Sequence, residues 1–261
     1  MENQLLDSDM PENKNGKSLS ELLNNGYETH SIDYLKKGFE IFKQNIGGFI
    51  GFLFVAGILQ LVVSSIPFLK GLSYALIAPI LAGGYIVAKM IDKNETYTFS
   101  NFFDGTKNYA PIFLVTLLPS LLIAVIMLVV GGWAYFKISY LGVKPHLDFN
   151  DLDSFKSMAA ATGLGARAGL AGIISIVISI LFLFAPFLVV FEKFDAIKAL
   201  DISRKIVAKK FINWVGFLFL IGIFNAAGAI CLLIGLLITI PSSICAMYVA
   251  YNEVIGLDLR A

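Results

Sequence analysis

Residues 211–250 contain no charged side chain. As one helix this stretch would overshoot a bilayer, whose hydrocarbon layer is crossed by about 20 residues. A hairpin of two spans resolves the excess length. Gly235 supplies its turn, and Pro241 is placed in the first turn of the returning helix, where a missing N–H costs little. Composition extends the argument to the whole chain, with 57% of residues apolar, 15% charged and a mean hydropathy of +0.77, against about 45–50% apolar and 25% charged in soluble domains. The sequence therefore reads as an all-α, polytopic membrane helix bundle of about six spans, placed near 47–67, 71–91, 111–136, 168–191, 212–234 and 236–256.

The chain also repeats itself. Ile32, Leu35, Ile41, Gly51, Phe52, Leu53, Phe54, Gly57 and Ile58 meet identical residues 165 positions later, and after a three-residue adjustment Pro79, Val87 and Ala88 meet Pro241, Val249 and Ala250. The predicted organisation is a polar cytosolic segment 1–30, a membrane domain 31–256 and a short cytosolic tail 257–261. Within the membrane domain lie repeat unit one (31–91), a central hairpin (111–191) with an external loop (137–167), and repeat unit two (194–256). Two spans separate the units, so both copies point the same way, the parallel class of internal repeat. Ser18 and Glu21 have capping-box spacing and predict a short extra helix in the first segment.

Charge orients the bundle, since short cytoplasmic loops collect Lys and Arg. Fifteen of the 20 basic residues fall on the side of the amino terminus. Both termini are expected in the cytoplasm of a bacterium, with the bundle in its inner membrane. Each repeat unit opens with an amphipathic helix, Ile32, Leu35, Phe39 and Phe42 marking the apolar face of the first and Ile197, Leu200 and Val207 that of the second. Lys36, Lys37, Lys43, Arg204, Lys205, Lys209 and Lys210 are the candidate membrane-surface residues, drawn to anionic inner-leaflet lipids at about 1 kcal/mol each. Gln60 and Asn225 occupy equivalent positions and form a candidate interhelical polar pair, and Pro79 and Pro241 are the repeat-related prolines. Gly47 with Gly51, and Gly165 with Gly169, have the spacing of close helix contacts.

The order of TFSNFFDGTKNYAP, AIKALDISRKIVAKKFINWVG and IGLLITIP leading to AMYVAYNEVIG resembles a broad set of six-span bacterial inner-membrane proteins. That set includes the membrane domain sometimes fused to glycerophosphodiester phosphodiesterases. The resemblance covers residues 31–256 and implies the fold. Its signposts are glycine, proline and aromatic residues, so no phosphodiesterase chemistry follows from it.

Chemistry is scarce in the sequence itself. His30 and His146 are isolated in segments predicted on opposite sides. LDFNDLDSF brings Asp148, Asn150, Asp151 and Asp153 together without the glycine and terminal glutamate of a calcium loop. No charge lies centrally in a span, where ion-coupled transporters keep theirs. A near-neutral balance of 20 basic and 19 acidic residues excludes a nucleic-acid partner. The expectation is a non-enzymatic membrane subunit or scaffold without cofactor or metal, whose partners are the lipid bilayer and other membrane or envelope proteins of insertion, translocation or envelope maintenance. The alternative is a carrier or channel for a small or lipid-like molecule.

Overall fold

The computed structural model describes residues 22, 26–67, 69–140, 160, 163–231 and 234–256, and every described element is helical. It consists of two compact units, Met1–Leu117 with Leu181–Ala261, and Leu118–Ile180. In the first unit, α1 (Ser31–Gln44) leads into α2 (Ile46–Ser65), where Asn45 accepts a hydrogen bond from the Gly48 N–H at 3.0 Å and caps the new helix. A 3-10 turn at Lys70–Leu72 leads to α3 (Ser73–Asp92). A 3-10 stretch, Phe99–Asn108, opened by a Thr98–Asn101 capping box, precedes α4 (Tyr109–Tyr140). That helix runs on into the second unit, which holds most of α5 (Leu164–Leu181). Back in the first unit are α6 (Ala185–Glu192), α7 (Ala196–Lys209), α8 (Phe211–Ile230) and α9 (Leu236–Val254).

Among the described residues, five segments are long and apolar enough to cross a membrane: Ile46–Ser65, Ser73–Asp92, Phe99–Lys137, Gly165–Glu192 and Phe211–Ile230. The protein is a helical membrane protein. The sixth predicted span, α9, is helical but is not among the five. Thr239, Ser242, Ser243, Asn252 and Glu253 dilute its apolar run, and it lies largely buried against α1, α3 and α8. Pro241 is buried at its sixth residue, one turn deeper than the sequence placed it. The fourth predicted span falls within Gly165–Glu192, but it is not one continuous helix, since residues 182–184 interrupt it between α5 and α6. Those broken ends stay saturated because Ser203 of α7 reaches them. Its Oγ accepts from the Phe184 N–H at 3.1 Å and donates to the Leu181 carbonyl at 2.9 Å. Irregular backbone at membrane depth is tolerated where protein supplies the lost partners.

The lead-in helices bury part of the expected faces, Phe42 and Val207, together with an adjacent stripe. Ile32 and Ile197 are exposed, while Tyr34, Gly38, Ile41 and Phe42 on α1, and Ala199, Ser203, Ile206 and Val207 on α7, are buried. These are equivalent positions, 165 residues apart. The correspondence continues along the chain: α7 and α8 begin and end 165 residues after α1 and α2. Phe49 and Phe52 are buried like Trp214 and Phe217. In the return helices, Pro79, Gly83, Gly84, Val87 and Ala88 are buried like Pro241, Cys245, Ala246, Val249 and Ala250. The partners differ, however, α1 packing chiefly on α9 and α7 chiefly on α6.

Close helix contacts use glycines other than the predicted ones. A Cβ on Gly47 or Gly169 would meet nothing within 4 Å. A Cβ on Gly38 would run into the backbone of Ala246, one on Gly83 into the Phe102 carbonyl, and one on Gly105 into the Pro79 carbonyl. Such contacts let helices associate in lipid, where apolar burial alone drives little.

Candidate functional site

Three helix ends meet in a polar cleft of about 410 Å³. Lys37, Glu40 and Gln44 of α1, Asp92 at the end of α3, and Asn252 and Glu253 in the last turn of α9 line it over a floor of Ile41 and Val249. The Gly38–Ala246 contact positions these walls by letting α1 lie directly on α9. Glu253 accepts from Lys37 Nζ at 2.9 Å and sits 3.1 Å from His30 Nδ1. Asp92 Oδ2 accepts from the Tyr248 hydroxyl at 2.9 Å and from Asn252 Nδ2 at 3.1 Å. Two carboxylates stand where two helices end, so the cleft is electronegative. Its lining offers ion pairing and hydrogen bonding.

Behind the cleft an aromatic core closes on Trp214. Phe184 meets its ring edge-on at 4.7 Å, and Tyr34 stacks at 6.4 Å. Trp214 Nε1 donates to the Tyr27 hydroxyl at 2.7 Å, which donates to the Ile206 carbonyl at 2.8 Å. Residues 22 and 27, in the predicted polar amino-terminal segment, are thus part of the buried core. Burial pushes the Tyr27 and Tyr34 phenols up to about 12.

The predicted polar pair is not a pair. Gln60 Nε2 donates to Ser73 Oγ at 3.1 Å, across α2 and α3. Asn225 Nδ2 donates to Ser243 Oγ at 3.1 Å and to the Ile221 carbonyl at 3.0 Å, across α8 and α9. Each amide therefore stitches its own hairpin through a serine on the returning helix. Asn225 Oδ1 and Thr239 Oγ1, both buried in the second hairpin, have no hydrogen-bond partner among the described residues.

The surface cations are likewise divided. Lys37 belongs to the cleft, Lys43 pairs with Glu40 at 2.7 Å, and Arg204 and Lys205 share Asp201 at 2.8 and 2.6 Å. Bonds from Lys205 first, then Arg204, hold the Asp201 carboxyl below its usual range. Lys36, Lys209 and Lys210 are exposed. Pro79 and Pro241 lie buried inside α3 and α9. His146 and the run Asp148, Asn150, Asp151 and Asp153 lie outside the described residues, as do Ser18 and Glu21. Among the described residues no group of three His, Cys, Asp or Glu side chains could hold a metal ion.

Sequence reasoning missed Asp92, Tyr248 and Asn252, and it missed Ser203. Ser203 is the repeat equivalent of Gly38, so a small residue at both positions was the available signal. Asp92 and Glu253 fall one residue apart in the repeat register, a recurrence hidden by their being different acids. In comparison with known proteins, no family model matches the chain, and neither a curated protein nor a solved structure matches it.

Proposed function

We propose that the chain is a non-enzymatic scaffold or subunit of the bacterial inner membrane, built from two duplicated units that point the same way. Both termini face the cytoplasm, and other membrane proteins dock on its outward faces. The carrying observation is that the two copies leave the same side chains outside. Phe54 is 54% exposed and its identical equivalent Phe219 is 70% exposed, with Ile58 and Ile223 exposed beside them. The amides Gln60 and Asn225 bond across to the returning helices, to Ser73 and Ser243. This leaves α2 and α8 with two matched apolar surfaces. The six-span inner-membrane proteins that the sequence resembles fit the same reading.

The test is site-specific photocrosslinking in native membranes from positions 54 and 219. The scaffold reading expects the same discrete protein partner at both positions and not at Ile46, the first residue of α2. Lipid adducts alone at both sites would refute it. One observation favours a carrier instead: the unpartnered Asn225 Oδ1 and Thr239 Oγ1 within the α8–α9 hairpin. A small molecule whose thermal stabilisation of the protein disappears in Asn225→Leu would support that second reading.

A further inference from the structure

The second unit holds a groove of different character. It has a volume of about 500 Å³, within the roughly 300–1,000 Å³ range of small-molecule sites. Val129, Val130, Gly132, Trp133 and Phe136 of α4 line it, and Arg167, in the first turn of α5, is the one charged residue among the described residues that line it. Gly132 helps to keep it open, since a Cβ there would meet nothing within 4 Å.

The Arg167 guanidinium lies 4.7 Å from the centre of the Trp133 ring. A guanidinium held over an indole by cation–π attraction keeps its planar fork of donors, the fork that meets a phosphate or carboxylate bidentately. Depth supplies the second argument. Trp133, Tyr135 and Phe136 are exposed near the end of a span, where aromatic residues gather at the headgroup level. Arg167 lies near the beginning of another, where a cation can remain at the interface. Lys137, half-exposed, follows Trp133 by one helical turn. Val129 precedes Trp133 by one turn, about 6 Å further along the apolar helix. The groove thus joins cations at the headgroup layer to an apolar channel beside the acyl chains.

The geometry points to a binding site for one anionic phospholipid, its phosphate on Arg167 and its acyl chain along Val129, Val130 and Gly132. The inference stands apart from the scaffold reading, because its residues lie on neither matched apolar face.

The two tryptophans provide the measurement. Trp133 is 42% exposed in the groove, and Trp214 is fully buried in the first unit. The full chain is placed in phosphatidylcholine nanodiscs containing a minor fraction of lipid with brominated acyl chains, and the Trp133→Phe variant supplies the Trp214 background. Brominated phosphatidylglycerol is expected to quench Trp133 more strongly than the same fraction of brominated phosphatidylcholine. Arg167→Gln should weaken that preference about tenfold, the usual scale for losing a charge-assisted bond, and Arg167→Lys should retain part of it. Gly132→Leu, whose side chain enters open space, should abolish the preference while the protein stays folded. Equal quenching by both lipids, or an unchanged preference in Arg167→Gln and Gly132→Leu, would overturn the proposal. Complete competition by free glycerol phosphate would also overturn it, by assigning Arg167 to a soluble anion.

Discussion

Ser203 satisfies two backbone groups that a broken helix leaves behind, the Phe184 N–H and the Leu181 carbonyl. Ser203→Ala removes both partners in a buried setting, where each unsatisfied group costs about 1–3 kcal/mol. The expected outcome is a loss of stability in that range, read by thermal unfolding in detergent. A loss below about 0.5 kcal/mol, the scale of an ordinary surface change, would show that the break does not depend on this side chain. Tyr27 and Tyr34 carry a pH prediction. Burial raises both phenols from 10.0 to about 12, so the neutral forms favour the fold. That contribution is fully present below pH 10 and is lost as pH rises toward about 12. Stability measured across this window should fall, and Tyr27→Phe, though weaker at neutral pH, should show a flatter decline. An equally steep decline in the variant would contradict the assignment.

Each hairpin carries its own polar stitch, and this makes a prediction about additivity. Gln60→Leu and Asn225→Leu should each cost roughly 0.6–2 kcal/mol, as interhelical bonds in membranes do. Because they bond different serines in different hairpins, the double variant should cost the sum. A double variant no worse than either single one would mean that the amides act on each other after all. The contact of α1 with α9 is tested by Gly38→Ala, whose added methyl meets the Ala246 backbone. Overpacking of this kind costs about 1–3 kcal/mol. It should also loosen the Lys37–Glu253 pair, visible as changed labelling at position 37. At this scale the sequence was partly legible. The existence of α2, α3, α4 and α8 followed from apolar length alone. Which side of α2 and α8 is buried did not, because a helix in lipid is apolar all round and carries no amphipathic signal. On α1 the buried face includes Phe42 of the expected stripe but is turned away from Ile32 toward Tyr34 and Gly38, which do not count as apolar markers. Hydropathy also hid the break at residues 182–184, where Pro186 near the start of α6 was the one local sign.

For the whole molecule, the repeat seen in the sequence becomes a repeat of burial. Identical side chains face out at Phe54 and Phe219, and equivalent positions face in at Phe49 and Trp214, and at Pro79 and Pro241. The duplication we propose, one unit inserted twice with the same orientation, would account for both patterns. The polar cleft was the least legible feature, because Asp92, Asn252 and Glu253 lie far apart in sequence and converge only once α1 has packed across α3 and α9. The central claim is that both lead-in helices lie on one side of the membrane, and reporter fusions test it most directly. Fusions at the amino terminus, at Lys205 on the second lead-in and at Arg260 should all read cytoplasmic, and one at Asp151 external. A cytoplasmic signal at Asp151, or opposite signals from the amino terminus and Lys205, would contradict it.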